Sequence, residues 1–170
     1  MRLYEPSVLD QIVLALIAEQ PRHGFAVYKE LNHDPSLSAV LHVRRPLVYR
    51  SMGCLTEARM IKETKTEPGD QGSARVVFST TPLGSKTSSK WLESIVEHPR
   101  DARIELLAKF VLRDRRGLKN RALAKRQRSV FARQSDVLLR ESQKATDNVR
   151  LVSLWRLETI NAMIRLLDAV

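Results

Sequence analysis

The sequence contains a single cysteine, Cys54. That excludes an internal disulfide framework and a cysteine-rich zinc site, and it points to a reducing compartment. Long hydrophobic runs are also missing. No stretch of roughly 18 uncharged apolar residues occurs, and Glu19 interrupts the first apolar run, so neither a signal peptide nor a membrane span is expected. The expected location is cytoplasmic. There is no glycine-rich phosphate loop, no nucleophile elbow and no pair of carboxylates in an apolar setting, and Cys54 lies mid-helix without an evident base. No enzymatic activity is expected. His33, His42 and His98 lack the spacing of a metal site, and no metal or cofactor is expected.

What is present is a chain of 170 residues, 43% hydrophobic and 28% charged, long enough to bury a core without staples. Its net charge of +10 raises the prior for nucleic acid or an anionic surface. The excess is uneven. Residues 1–99 hold 12 Lys/Arg and 11 Asp/Glu, residues 100–150 hold 15 and 6, and residues 151–170 hold 2 and 2.

Hydrophobic periodicity organises the first half. Ser7 and Asp10 fit a helix-capping pair, and Leu9, Ile12, Val13, Leu16 and Ile17 recur at spacings of three and four, predicting a helix that ends near Glu19. Pro21 and Gly24 punctuate it, and a short helix over 25–32 turns Phe25, Tyr28 and Leu31 inward. A loop over 35–43 then leads to a helix over 44–61. Pro46 suits its first turn. Leu47, Ser51, Cys54, Leu55 and Ala58 are placed toward the scaffold, leaving Arg45, Val48, Tyr49 and Arg50 outward. Strands are predicted over 61–67 and 75–80, joined by a turn at Pro68-Gly69-Asp70-Gln71-Gly72, and Thr81-Pro82 opens a further helix.

Three helices followed by a hairpin is the order of a winged helix-turn-helix. The runs Leu14-Ala15-Leu16-Ile17, Pro21-Arg22-His23-Gly24-Phe25, Leu47-Val48-Tyr49-Arg50 with Leu55, Arg75-Val76-Val77-Phe78 and Thr81-Pro82-Leu83-Gly84 closely resemble the PadR family of bacterial transcriptional regulators. The resemblance covers roughly residues 7–96 and continues more weakly to the end of the chain, where the longer members carry a helical dimerisation region. It implies that the tyrosine at 49 lies at a protein–DNA interface. Two departures stand out. Arg44-Arg45-Pro46 replaces a small or hydroxyl cap, and Gly53 falls inside the reading helix, where glycine costs about 1 kcal/mol relative to alanine.

In the second half, Ile104, Leu107, Ala108, Val111 and Leu112 predict a helix over 101–114. Residues 113–133 carry nine basic residues opposed by Asp114 alone, with Leu123, Val130 and Val137 shadowed by Ala124, Phe131 and Leu138. That narrow stripe suits packing along another helix. The basic face is either solvated or adds phosphate contacts or meets an acidic partner. Over 148–170 the polar residues Glu158, Asn161, Arg165 and Asp168 form one stripe and most other positions are apolar. A second copy is the simplest cover for such a helix.

The expected fold is therefore mainly α. A winged helix-turn-helix over 1–98, with three helices and a two-stranded wing, precedes a helical dimerisation and effector region over 99–170. Expected DNA contacts are Arg44, Arg45, Val48, Tyr49 and Arg50 on the reading helix and Lys65 and Arg75 on the wing. Expected dimer contacts are Val152, Trp155, Ile160, Met163, Ile164 and Leu167. Trp91 and Trp155 are assigned to core, the alternative being that one of them lines an effector cavity near the dimer seam; Cys54 fills core space, and His23 is structural. The expected function is that of a homodimeric regulator, a repressor, that reads an inverted-repeat DNA operator and answers to a small-molecule effector or to none. The alternatives are a winged-helix protein-interaction module and an RNA-binding accessory protein using 113–133.

Overall fold

Ser7 begins the first helix through reciprocal hydrogen bonds. Its hydroxyl accepts from the Asp10 amide at 3.2 Å, and the Asp10 carboxylate accepts from the Ser7 amide at 2.9 Å. In the computed structural model, which describes residues 4–68 and 74–170, this box opens α1 (Val8–Glu19). Ile12 through Ile17 are all buried, because α1 is enclosed by later elements on every side.

After Pro21 the chain forms a two-residue strand, β1 (Arg22–His23), then α2 (Gly24–His33), whose N-terminus is capped by His23 Nδ1 accepting from the Ala26 amide at 3.1 Å. The predicted loop that follows contains a short helix, α3 (Pro35–Val40). Asp34 caps it by accepting from the amides of Ser36 and Leu37 at 3.0 and 2.9 Å. A helix this short leaves no periodicity to read, though Asp-Pro is a start signal. Asn32 then clamps the descending chain with two bonds to the Val43 backbone.

The third long element of the N-terminal half, α4 (Arg45–Glu57), is rotated from the expected orientation. Val48, Ser51, Met52 and Leu55 are buried, whereas Leu47 is 43% exposed. It ends at Arg59, which takes the left-handed φ of 55° usual for a terminating residue. Strands β2 (Ile61–Pro68) and β3 (Ala74–Thr80) form the wing, and positions 69–72 of the expected turn lie outside the described residues. The sheet has three strands in the order β1-β3-β2, not two, with Arg22 opposite Phe78. A two-residue strand is invisible to alternation. In β2 a bulge falls between Glu63 and Lys65, and the Thr64 hydroxyl donates to the Val77 carbonyl at 3.1 Å.

Helix α5 (Pro82–Glu93) is locked to the end of α4. Thr81 donates to the Met60 and Arg59 carbonyls through its amide and hydroxyl, while its hydroxyl accepts from the Gly84 amide. A Cβ on Gly84 would lie 1.9 Å from the Met60 carbonyl oxygen, which accounts for the glycine of the Thr-Pro-x-Gly motif.

The short α6 (Pro99–Ala102) leads to α7 (Glu105–Arg115), which belongs to two cores. Ala108 and Leu112 join the core built around α1, while Leu106 and Phe110 join the core of the C-terminal helices. The positive charge of α7 is also internal. Arg115 reaches Glu19, Glu30 and Asp34 on the N-terminal elements, and Arg113 is buried against Glu93, the Leu92 and Lys119 carbonyls and Asn120. Lys109 is fully buried, its ammonium held by Glu105 and Ser94 and lying over the Trp91 ring; burial lowers its pKa despite the Glu105 charge.

Gly117, at φ 68°, ends this helix. Then α8 (Arg121–Lys144) and α9 (Asp147–Asp168) run antiparallel, with Arg128 meeting Asp168 and Ser135 meeting Asn161. Their seam buries Leu123, Ala124, Phe131, Leu157, Ile160 and Leu167. Ile160 and Leu167 therefore pack inside the chain and are not available to a second copy, because α8 already covers one face of α9. Met163 and Ile164 are half-buried against the same seam. Val137, expected in the α8 stripe, is 51% exposed.

Two measurements check this packing. Gly84→Ala is expected to cost about 2 kcal/mol or more through overpacking against backbone, seen as a lowered denaturation midpoint. At Asp10, burial raises the pKa, but hydrogen bonds from Ser51, Ser7 and Tyr4 outweigh it and the net shift is downward. Stability from this group is thus present above its ordinary value of 3.8 and lost as pH falls through the lowered one. Asp10→Asn is expected to lower stability at neutral pH by about 1 kcal/mol and to flatten the acid limb of the pH–stability curve.

Candidate nucleic-acid interface

The outward face of α4 is set by what its inward face buries. With Val48, Ser51, Met52 and Leu55 turned to the core, Arg44, Arg45, Leu47, Tyr49 and Arg50 face solvent. Val48, expected among the contacting residues, supports the helix from beneath; Ser51 and Leu55 are buried as expected, and Leu47, expected inward, is exposed. Arg44 occupies the N-cap position but makes no side-chain capping bond, so the arginine-rich start leaves the cap unfilled.

Between α4 and the wing lies a groove of about 920 Å³. Arg45, Tyr49, Met52, Gly53 and Thr56 line one wall, Ala74, Arg75, Val76 and Phe78 the other, and His23, Gly24 and Phe25 the floor; Glu57 and Glu63 add two carboxylates. The structure thus brings Arg45, Tyr49 and Arg75 into one concavity, with Arg44 and Arg50 on the adjoining helix face. Lys65 is not among the lining residues. It lies on β2 with its ammonium 2.6 Å from Glu67, a pairing that holds the Glu67 carboxylate below its ordinary value.

Aromatic contacts order this concavity. The Arg45 guanidinium lies 5.3 Å from the Phe25 ring centre and 5.5 Å from that of Tyr49, and its Nη2 is 3.5 Å from the Tyr49 hydroxyl. Tyr49 can lie there because residue 24 has no side chain: a Cβ on Gly24 would approach the Tyr49 ring to 2.8 Å. Gly53 has nothing within 4 Å of its missing Cβ, so it leaves a flat spot on the exposed helix. Phe25 is the residue that sequence reasoning misplaced. It is half-buried, and the arginines around it come from distant positions, so only the His-Gly-aromatic turn hinted at it.

Arginines, an aromatic hydroxyl and an open helix start can bind phosphate and hydrogen-bond base edges; they offer no nucleophile with a base beside it. Among the described residues, no group of three or more His, Cys, Asp or Glu could hold a metal ion, and no helix is long and apolar enough to cross a membrane. Residues 13–90 match the model of the transcriptional regulator PadR-like family. The chain carries a PadR-like domain. A crystal structure of Bacillus subtilis PadR in complex with operator DNA is similar over 96% of both chains, with a TM-score of 0.50 and 16% identity. The crystal structure of smu.1604c from Streptococcus mutans UA159 aligns over 94% of this chain and 96% of its own, at 14% identity and a TM-score of 0.42. No curated protein matches the sequence. The likeness to the Bacillus protein is one of fold, and it extends past the PadR-like domain into the C-terminal helices.

Outside this domain, the exposed apolar residues gather on α9. Val149, Leu151, Val152 and Trp155 are 48–68% exposed, and Trp155, assigned to core or to an effector cavity, is the most open of them. Within the basic segment 113–133, Arg113, Arg115 and Arg116 are tied into the fold, Arg126 and Arg128 form exposed ion pairs with Glu93 and Asp168, and Lys119, Arg121, Lys125 and Arg133 face solvent.

Val48→Ala is expected to cost about 2 kcal/mol of stability, while Leu47→Ala changes it by less than about 0.5 kcal/mol. Chemical denaturation of both variants checks the rotation of α4.

Proposed function

We propose that the protein is a homodimeric, sequence-specific DNA-binding regulator that represses transcription from an inverted-repeat operator. The observation that carries the reading is the outward face of α4 in a PadR-like domain: Arg44, Arg45, Tyr49 and Arg50 stand clear of the core beside a groove shared with the wing. Each α4 enters a major groove, and hydrogen bonds from Arg45 or Arg50 to base edges supply the sequence preference. Arg75, Lys65 and backbone amides set the register on the phosphates. The Bacillus relative was crystallised with operator DNA, which supports the same class of ligand here.

The dimer forms through the face of α9 that α8 leaves open, with Val152 and Trp155 at its centre. Residues 1–98 read DNA and residues 99–170 set the spacing of the two reading heads, with α7 shared between them. A small effector, where it acts, occupies the cavity of about 870 Å³ among α6, α8 and α9, lined by Val130, Val137, Leu138 and Trp155. By changing the angle of the helices it shifts the population of dimers whose heads match the operator. The protein acts in the cytoplasm.

Two experiments test this. In a mobility-shift titration against the DNA upstream of its own gene, with competitor at physiological salt, Arg45→Ala or Arg50→Ala is expected to cost about 1–3 kcal/mol of discrimination. Unchanged specific binding in both would remove α4 from the reading role. In sedimentation, Trp155→Glu is expected to yield a folded monomer, since the side chain is 68% exposed within the chain; a surviving dimer would place the interface elsewhere.

A further inference from the structure

Phe25 sits on the floor of the groove at the start of α2, where its ring stacks on Tyr28 with centres 6.1 Å apart. Around that one ring stand three cations from three elements: Lys29 of α2 at 5.3 Å, Arg45 of α4 at 5.3 Å and Arg75 of β3 at 5.6 Å. Three like charges crowded about one point repel one another. The electron-rich faces of the ring offset that repulsion together with the Glu57 and Glu63 carboxylates of the groove, and Tyr49 adds a second ring to Arg45.

We infer that Phe25 is a positioning residue for DNA binding, holding the guanidiniums of Arg45 and Arg75 at a fixed separation across the groove. The inference rests on the DNA-binding reading and deepens it. With α4 seated in the major groove, that separation decides whether the wing's Arg75 meets a phosphate at the same time as Arg45 meets its own target. The shared ring makes helix and wing one reading unit. Its two arginines are 30 residues apart in sequence and in separate elements, and Phe25 is the ring common to both. Holding them in place before DNA arrives spares the rotamer entropy that two free arginines would lose on binding.

The test separates the electrostatics of the ring from its bulk. Phe25→Leu and Phe25→Met keep an apolar side chain of similar size but have no aromatic face, whereas Phe25→Tyr keeps both. In the free protein, the side-chain proton resonances of Arg45 and Arg75 should carry ring-current shifts that persist in the Tyr variant; in the Leu and Met variants the Arg75 shift should vanish and the Arg45 shift should shrink to what the Tyr49 ring supplies, while the resonances of Arg50 stay put. In mobility-shift titration against the upstream duplex with competitor, Leu and Met variants with wild-type denaturation midpoints should lose about tenfold in affinity, and the Tyr variant should stay within about twofold of wild type. In an Arg75→Ala background, the Phe25→Leu loss should shrink to about threefold, because one of the two held guanidiniums is already gone.

Wild-type affinity in the Leu and Met variants would overturn the inference and leave the DNA-binding reading standing. An equal loss in the Tyr variant would also overturn it, since bulk and burial would then explain the effect. If the wild-type chain itself gave no competitor-resistant shift, the DNA-binding reading would fall and this role with it.

Discussion

Val48, Ser51, Met52 and Leu55 are the side chains by which α4 is held against α1, and their burial fixes how the helix is rotated about its axis. Each apolar member contributes roughly 1.5–3 kcal/mol on burial, so a turn of the helix that exposed them would cost more than any surface contact could return. Everything outward follows from that constraint. Arg44, Arg45, Tyr49 and Arg50 face solvent because the opposite stripe cannot, and the groove exists because the wing, tied to the end of α4 through Thr81 and Met60, stands beside the same face.

The charge of the molecule divides along the same lines. Arginines at the end of α7 and just after it spend themselves internally: Arg115 joins carboxylates of α1, α2 and the α3 cap, Arg113 is buried among Glu93 and carbonyls, and Arg116 donates to the Ala15 carbonyl at 2.7 Å. Removing a buried partner from such pairs strands a charge, so they fix the seat of the C-terminal helices on the N-terminal core more than they add net stability. Arg45 of α4 and Arg75 of β3 are held differently, each lying over the Phe25 ring, with Arg45 also over the Tyr49 ring.

The order of helices and wing was legible because apolar residues recur at spacings of three and four in α1 and because β3 is rich in β-branched and aromatic residues. So was the Thr-Pro-x-Gly turn, whose glycine the Met60 carbonyl requires. The rotation of α4 was harder to see. Leu47 and Val48 are adjacent apolar residues, and one position along a helix changes the facing direction by about 100°. The third strand and α3 were too short to register a period. Long-range charge pairing was hidden altogether, since nothing in residues 113–133 announces that Arg115 will find Glu19, 96 positions away. The apolar surplus of α9 was legible, but not its division: Ile160 and Leu167 went to α8, and Val152 and Trp155 stayed open.

Amide hydrogen exchange on the full-length protein, with and without the duplex upstream of its own gene, tests the central claim most directly. Protection gained over residues 44–57 and in both wing strands, with residues 113–133 unchanged, is the result predicted. Protection confined to 113–133, or to the open face of α9, with none over 44–57, would contradict it.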